Sequence, residues 1–498
     1  MNFNIFKTDF FTPYKAEIIV LLFFSMISLT GLALENVIIT LLPVALLVSY
    51  LFFLNIKLGF YITAFIVPFS INVKYISVGI SVNTPLDPFL FLLALSTIYK
   101  LLTKGVNRKI LTHPLSILIV VFCCLLVSSS IYSSRPLISI RIILQTLTYI
   151  IPAYWGVIIL SQEDPLFIKR VLKLVLFSFG IICFINFFRH SNYNFGRSYS
   201  WFIANPFYSD HTIYATMASF MIPIAFIFSV WYFRRNTFLF YYNLFLLLCC
   251  FSGLILSYSR AAMIGVLIAF CFYFYIRLKI SWWVIILFFC SIVIFVILDR
   301  EQLAMSVKRN RADSKTMKTN LADQVKSISN VSSDVSNLER LNRWNSALRM
   351  IKEHPYTGFG YGMYQFEYFP YQKASEMTQI SVRNPQPVYH AGTGGTAHSE
   401  YLLLSSENGI FTGLIYVCLL ITSVYYSIKN IALIPSSNQN YYLSFAIVMG
   451  ITTYIVHGFF NNFLDTSKIC FIFFAFLASI TSINITLNNS KNTDIKHI

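Results

Sequence analysis

Long apolar segments alternate with short polar connections along most of the chain. A transmembrane helix takes about 20 residues, and most of these segments approach that length. Because the lipid core offers no water to the peptide groups, the segments are predicted to be helices. Hydropathy predicts about 14 spans, at residues 16–34, 36–54, 58–73, 89–102, 114–130, 142–160, 171–187, 212–232, 238–257, 261–276, 281–298, 401–428, 441–457 and 467–486.

Composition strengthens this prediction. Hydrophobic residues make up 57% of the 498 residues and charged residues only 11%, and the mean hydropathy is +0.67. A soluble domain carries roughly 25% charged residues. The predicted fold class is therefore an all-α polytopic membrane protein with about 12–14 transmembrane helices. The nine cysteines all fall inside apolar runs without metal-ligand spacing, and the first span has no cleavage site, so it is predicted to remain as an anchor.

Lysine and arginine concentrate in every second connection between the predicted spans. The positive-inside rule assigns these connections, and both termini, to the cytoplasm. The same rule explains the net charge of +17 better than nucleic-acid binding does, because the excess is spread over many short loops. The basic connections contain Lys7, Lys15, Lys57, Lys100, Lys104, Arg108, Lys109, Lys169, Arg170, Lys173, Arg234, Arg235, Arg277, Lys279, Lys429 and Lys491.

One long polar segment, residues 299–397, interrupts the apolar pattern after about 11 predicted spans. That number of crossings places the segment at the periplasmic face of a bacterial inner membrane. The predicted organisation is 1–298 as N-terminal transmembrane helices, 299–397 as the periplasmic loop, 398–486 as about three further spans and 487–498 as a cytoplasmic tail. Loops of this length without a function are uncommon, so we expect the functional centre here.

Within this loop, apolar residues recur at helical spacing from Asn337 to Lys352. The pattern predicts an amphipathic helix, which His354 and Pro355 end. Gln302–Asn330, in the Lys- and Ser-rich front half of the loop, is predicted to lie outside the functional site.

A glycine motif follows this helix at Gly358, Gly360 and Gly362. It resembles a phosphate-binding loop only superficially, since no strand precedes it and no GxxxxGK[ST] motif is present. A tight turn against a neighbouring helix is the predicted role.

Two arginines and a histidine are candidates for chemistry at the outer interface. Arg260 lies in a turn too short to be a solvated loop, directly after Tyr258-Ser259, and a cation held there calls for an anionic partner. Snorkelling toward lipid headgroups is the alternative. Arg340 lies on the predicted helix beside Trp344. Arginine side chains bind diphosphates in bidentate fashion and stabilise charge on a leaving phosphate.

His398 opens a predicted helix at the water–lipid boundary, with Glu400 close by. An imidazole whose unperturbed pKa is near neutrality can accept or donate a proton. An earlier outer connection combines Arg197, Asp210 and His211 with several aromatic residues. Aromatic faces beside polar groups suit sugar rings, although such residues also populate ordinary interfacial belts.

The turn that contains His457 and Asp465 either lines the same cavity or caps two helices. No spacing of His, Cys, Asp or Glu predicts a metal site or a cofactor, and no paired carboxylates predict a nucleotide-sugar site.

These motifs together resemble the O-antigen ligase and O-antigen polymerase superfamily. The resemblance rests on Arg340-x-x-x-Trp344, on the segment from Ala347 to Gly362 with its His-Pro and three glycines, and on His398 eleven residues before Gly409. The Ser-Arg-Ala-Ala turn at Ser259–Ala262 and the segment from Arg197 to Asn205-Pro206 add to it. The resemblance covers roughly residues 195–476, while the earlier spans match only in hydropathy.

The resemblance implies a polytopic C-type (GT-C) glycosyltransferase that works at the periplasmic face without metal or nucleotide. Its donor would be a glycan linked to undecaprenyl diphosphate, and its acceptor would be lipid A-core. Arg260 and Arg340 would bind the diphosphate, His398 would serve acceptor activation or leaving-group handling, and Arg197 would help position the donor. The remaining candidates for substrate binding are Asp210, His211, Tyr258, Trp344 and Glu400.

Other functions stay open from the sequence. A polymerase that joins lipid-linked repeat units shares the fold and the donor, and a protein-glycosylating enzyme shares the chemistry. A polysaccharide transporter is disfavoured, because transporters place charges at mid-bilayer in paired halves, whereas here the charges gather at one face.

Overall fold

The computed structural model describes residues 15–75, 80–281, 335–384 and 394–495. They are mostly helical, as the hydropathy pattern predicts. The longer helices are α1 (Lys15–Ala33), α2 (Val37–Leu54), α3 (Ile56–Ile66), α4 (Leu86–Lys104), α6 (Pro114–Ser130), α7 (Pro136–Ile150, continued by a π-helical turn at Ile151–Gly156), α8 (Val157–Glu163), α9 (Phe167–Ser191), α11 (His211–Tyr232), α12 (Thr237–Leu256), α13 (Arg260–Arg277), α14 (Val335–Glu353), α16 (Glu400–Asn408), α17 (Ile410–Leu433), α18 (Gln439–His457) and α19 (Ser467–Ile495).

Short elements connect these helices. They are α5 (Arg108–Leu111), α10 (Ser200–Ile203), α15 (Tyr364–Glu367) and a hairpin of strands β1 (Ile71–Tyr75) and β2 (Ile80–Thr84). The hairpin is antiparallel, with Ile71 opposite Thr84 and Tyr75 opposite Ile80.

The chain forms two units, Met1–Phe60 and Tyr61–Ile498. In the first unit α1 packs against α2, and the absence of a side chain at Gly31 lets the backbone of α1 approach Thr40. The outward apolar side chains of α1, such as Leu21 and Leu22, remain about two-thirds exposed, at 67% and 64%. Such faces are expected of helices that lipid surrounds.

In the second unit, two apolar helices form the centre. α19 and α11 are almost entirely covered by other helices. α11 packs on α12 and α18, α18 packs on α13, and α19 packs on α17 and α8. These contacts bury a core of apolar side chains.

Nine helices in the described part of the chain are long and apolar enough to cross a membrane, or up to ten if one bent pair counts as a single span. The prediction of a multi-pass helical membrane protein is therefore confirmed, with fewer qualifying spans in these residues than the 12–14 predicted. The predicted span 281–298, apart from Ser281, and the whole of Gln302–Asn330 lie outside the described residues. The helix at 441–457 forms as α18, but it is not among the nine.

Two predicted spans are wrong in detail. The helix in the span predicted at 58–73 ends at Ile66, and the β-hairpin begins at Ile71. The hairpin is fixed from a distance, because Asn83 donates to Ser467 Oγ at 2.9 Å and Lys468 donates to the carbonyls of Pro68 and Ser70. The span at 401–428 divides at Gly409 into α16 and α17.

The break at Gly409 has a steric cause. Gly409 has a φ of +82°, and a β-carbon there would lie 2.1 Å from the carbonyl oxygen of Tyr356. Only glycine combines a positive φ with so close an approach of another backbone. α16 is thereby held apart from the α17 span, against the polar segment that contains α14.

Candidate active site

The helix α14 carries several of the candidate site residues. It runs from Val335 to Glu353, which confirms the amphipathic helix predicted at 337–352. Its buried side carries polar residues as well as apolar ones, with Ala347 and Met350 packed under the rings of Tyr364 and Tyr368. Those two rings stack in parallel with centroids 4.9 Å apart. The aromatic segment that follows the glycines is therefore the hydrophobic support of α14.

The glycine motif forms a tight turn against neighbouring elements, as predicted. Gly358, Gly360 and Gly362 have φ values of +64°, +101° and +80°. A β-carbon would overlap the Glu407 carbonyl at the first position, Ser133 at the second and the Ile142 side chain at the third. The motif thus locks α14 and its aromatic support onto α16 and α7.

A buried ion pair lies on the inner face of α14. Arg343 Nε donates to Glu339 Oε1 at 2.8 Å, and both side chains are almost fully buried. The other oxygen of Glu339 accepts hydrogen bonds from Thr378 Oγ1 at 2.8 Å and from the Ser381 hydroxyl. Burial opposes ionisation of Glu339, but the Ser381, Thr378 and Arg343 hydrogen bonds together hold its pKa below the usual value.

The same helix holds the loop that carries His398, which we call the His398 loop (Gly394–Ser399). Arg343 Nη1 donates to the Thr396 carbonyl at 3.1 Å. Trp344 Nε1 donates to the His398 carbonyl at 3.2 Å. His398 itself adopts a φ of +50°, an uncommon conformation for a residue with a side chain.

The imidazole of His398 lies among several charges. Burial and, after it, the nearby cations Arg343 and Arg340 lower the pKa of His398 to about 3, although the carboxylates Asp210 and Glu339 oppose that effect. The imidazole is therefore neutral at physiological pH. Arg340 Nη1 also donates to Asn337 Oδ1 at 3.2 Å.

The start of α11 and the end of α18 also contribute groups near His398, and we call the region that they form with α14 the cleft. Asp210 caps α11, accepting from the Thr212 amide at 2.7 Å, and its charge reaches both His398 and His457. His457 is buried, bonded to Thr216 Oγ1 at 3.1 Å and to Asn461 at 2.9 Å. Asp210, His398 and Arg340 are thus brought together from three separate parts of the chain.

His211 follows Asp210 and lies against Trp201, with ring centroids 4.5 Å apart. The Trp201 side chain is 64% exposed. The Asp210 side chain is partly exposed, and although partial burial opposes its ionisation, hydrogen bonds from His211 and Thr212 lower its pKa. An exposed aromatic face therefore lies beside a carboxylate that is within electrostatic reach of His398.

Arg260 begins α13, one residue after the turn at Tyr258-Ser259. Tyr258 has a φ of +56° and its hydroxyl donates to the Phe195 carbonyl at 2.5 Å. Arg197 lies near this ring, because its charge acts on the Tyr258 hydroxyl. Arg197, Tyr258 and Arg260 thus form a neighbouring group.

The packing of α13 on α18 places this group relative to His457. The two helices are antiparallel, with Gly265 against Thr453 and Arg277 bonded to Tyr441. If this pairing of residues is extended to the start of α13, Arg260 lies beside Gly458. The Gly458 carbonyl in turn accepts from the Glu400 amide at 2.8 Å. Arg260 therefore begins its helix at the level of the His398 loop.

Glu400 lies behind the His398 loop and not in the open cleft. Its side chain is buried, and Oε2 accepts from Tyr454 at 2.6 Å and from the amides of Phe463 and Leu464. With Glu407 and Asp465 it lines a cavity of about 160 Å³. Burial raises the pKa of Glu400 to about 7, of Glu407 to about 8 and of Asp465 to about 6.

The sequence analysis named Arg340, His398 and Asp210, which the structure places near one another, but it did not name Glu339 and Arg343, whose charges also act on His398. The signal was present, since opposite charges four residues apart on a helix form a pair. In the described part of the chain, no three His, Cys, Asp or Glu side chains are placed to hold a metal ion.

The nine long apolar helices found among the described residues indicate a multi-pass membrane protein. The family model described as O-Antigen ligase (Wzy_C) matches residues 244–417, a range that includes Arg260, Arg340 and His398. This part of the chain is similar to the O-antigen ligase superfamily, whose members are glycosyltransferase-like ligases and polymerases. No curated protein matches the sequence.

Proposed function

We propose that the protein is an O-antigen ligase that transfers a glycan from undecaprenyl diphosphate to lipid A-core at the periplasmic face of the bacterial inner membrane. The observation that carries the proposal is the group of Arg340, His398 and Asp210 at one end of an apolar bundle. The family match encloses two of these residues.

Arg340 and Arg260 are proposed to bind the donor diphosphate. A guanidinium offers a rigid fork of donors to phosphate oxygens and stays charged at every relevant pH. As the sugar leaves, negative charge grows on the diphosphate, and fixed cations stabilise that charge more than they stabilise the ground state. No metal is required for this role.

His398 is proposed to receive the proton of the acceptor. The acceptor hydroxyl oxygen forms a bond to the anomeric carbon of the donor sugar, while the bond from that carbon to the diphosphate oxygen breaks. Undecaprenyl diphosphate leaves with the bonding electrons, and the proton of the hydroxyl passes to the neutral imidazole of His398. A bound diphosphate would offset the charges of Arg340 and Arg343 and so make the imidazole a stronger base.

The sugar next to the diphosphate is proposed to lie against the Trp201–His211 face. An aromatic ring covers the apolar face of a sugar, and the Asp210 carboxylate accepts hydrogen bonds from its hydroxyls. Arg197 and Tyr258 would hold the donor at the edge of the cleft. Trp344 and Glu400, which bond to protein groups, would shape the cleft from behind.

The distribution of charge supports the proposed orientation. The end of the bundle opposite the cleft carries the exposed basic groups at Lys104, Arg170 and Arg235. Short loops rich in such residues remain in the cytoplasm. The cleft would then face the periplasm, where lipid-linked glycans meet lipid A-core.

Deletion of the gene in its host, read by gel electrophoresis of lipopolysaccharide, tests the choice of acceptor. A ligase predicts loss of all polymer on lipid A-core and accumulation of lipid-linked polymer. Retention of a single repeat unit on the core would instead identify a polymerase. Unchanged linkage, with lipid-linked glycan trapped on the cytoplasmic side, would identify a transporter.

A further inference from the structure

Two arginines on α14 have different surroundings although they lie three residues apart. Arg340 donates to Asn337, and its charge acts on both His398 and His457. Arg343 points into the protein, where its side chain is 7% exposed and its guanidinium lies 5.3 Å above the Tyr368 ring. Arg343 is therefore held on all sides by its own fold.

The partners of Arg343 fix its position completely. Glu339 takes the Nε proton at 2.8 Å and is itself fixed by Thr378, Ser381 and Asn342. Burying such a pair costs desolvation energy, and well-packed apolar residues would stabilise a helix at least as well. The presence of this buried ion pair is thus better explained by the contacts that Arg343 makes with the His398 loop than by a contribution to stability.

Arg343 holds the His398 loop. Its Nη1 donates to the Thr396 carbonyl at 3.1 Å, two residues before His398. Gly395 passes so close that a β-carbon there would lie 1.8 Å from Nη1, and its φ is +88°. The His398 loop therefore packs closely around the Arg343 guanidinium, and this packing determines where the imidazole of His398 lies.

We propose that Arg343, fixed by Glu339, is a positioning residue that sets the orientation and the charge environment of His398 during glycan transfer. This inference rests on the proposed function. Arg343 acts through the loop and through its positive charge, and it does not contact the substrate.

The effect of the Arg343 charge on His398 depends on the other charged and titratable groups that face this imidazole. They are Arg340, Arg343 and Glu339 on α14 and Asp210 before α11, and His457 on α18 faces Arg340 and Asp210 in turn. Removing one cation from this set makes protonation of the imidazole easier. The pKa of His398 then rises, and the neutral form required for accepting a proton is lost at a higher pH than in the wild type.

Arg349 supplies a matched control on the same helix. It also pairs with a carboxylate, Glu376, at 2.5 Å, and donates to a backbone carbonyl, that of Tyr371, at 2.6 Å. It lies outside the His398 loop. Arg343→Met and Arg349→Met therefore remove equivalent interactions, and only the first reaches His398.

The test uses the full-length protein in nanodiscs with a lipid-diphosphate oligosaccharide and an acceptor lipid. Arg343→Met is expected to lower kcat by about 10²-fold, as misplacement of a catalytic group does, with little change in donor KM. The acid limb of its pH–rate profile is expected to move to higher pH. Arg349→Met is expected to leave kcat and the pH profile unchanged. Gly395→Ala is expected to reproduce the kcat loss without the pH shift, because it displaces the loop but retains the charge.

A second readout needs no activity. Diethylpyrocarbonate modifies neutral imidazoles, and peptide mass spectrometry follows its rate at His398 against pH. As the pH is lowered, modification of His398 should stop at a lower pH in the wild type than in Arg343→Met. An unmoved modification profile with wild-type kcat in Arg343→Met would overturn the inference. So would an equal loss of kcat in Arg349→Met. Absence of transfer by the wild type on every acceptor would instead overturn the proposed function. The modification profile would then still test whether Arg343 sets the charge environment of His398.

Discussion

Four charged side chains act on His398, and three of them lie on α14 while the fourth, Asp210, comes from a distant part of the sequence. Burial is the main reason that the pKa of His398 is low, the two cations on α14 lower it as well, and the two carboxylates oppose both effects. A neutral imidazole is able to accept a proton, whereas an imidazolium is not. At the scale of single residues, the fold therefore prepares His398 as an acceptor before any substrate is bound.

Replacing His398 by Gln tests this role. Glutamine keeps a polar side chain of similar length but cannot take up a proton. We expect kcat to fall by about 10²–10⁴-fold, the usual contribution of a general base, with donor KM nearly unchanged. Initial rates of glycan transfer measure both values. A variant with wild-type kcat would remove His398 from the chemistry.

Replacing Arg260 or Arg340 by Ala tests the proposed diphosphate site. Each change removes a bidentate phosphate contact, so transfer should be abolished while the protein level stays normal. A Lys substitution should recover part of the activity, because it restores the charge but not the fork of donors. Arg383→Ala, in the same polar segment but exposed, serves as the control. Wild-type transfer by either Ala variant would exclude that arginine from the diphosphate site.

At the scale of elements, the glycine turn determines how α14 meets the membrane helices. Gly358→Ala places a β-carbon 2.2 Å from the Glu407 carbonyl at a φ of +64°. The positive φ costs about 1–2 kcal/mol, and the overlap adds about 1–3 kcal/mol. We expect a clearly lower melting temperature of the purified protein.

Gly105→Ala is the matched control for that prediction. Gly105 has a similar φ of +73°, but no atom lies within 4 Å of its missing side chain. It should lose only the conformational contribution. Equal melting temperatures for the two variants would show that the close approach at Gly358 is not needed for stability.

Local sequence patterns predicted α14 and the glycine turn because their determinants are local. The apolar spacing on α14 and the closely spaced glycines suffice for both. The division of 401–428 at Gly409 was not predictable, since it depends on the carbonyl of Tyr356. The hairpin at 71–84 was missed for the same reason, because its anchor is Lys468, far along the chain.

The same distinction applies to the site. His398 and Arg340 could be singled out as polar residues at a predicted membrane boundary. Their meeting with Asp210 depends on the packing of α11 against α18, which hydropathy does not encode. The role of Arg343 depends on its contact with Thr396 across 53 residues.

At the scale of the whole molecule, the account requires the cleft and the basic end to lie on opposite sides of the membrane. The native cysteines lie in apolar runs, so introduced cysteines report on topology. A membrane-impermeant maleimide should label Tyr356→Cys, an exposed position between α14 and the glycine turn, in cells with a permeabilised outer membrane. Lys104→Cys should react only after lysis. The reverse pattern would place the cleft in the cytoplasm.

Transfer by the purified protein tests the central claim most directly. The protein is reconstituted in nanodiscs with an undecaprenyl-diphosphate oligosaccharide and lipid A-core, in buffer containing EDTA and without nucleotide. The account predicts glycan on lipid A-core, release of undecaprenyl diphosphate in equal amount, and no product from Arg340→Ala. The absence of product from folded wild-type protein on every acceptor offered, or a requirement for a nucleotide sugar, would contradict it.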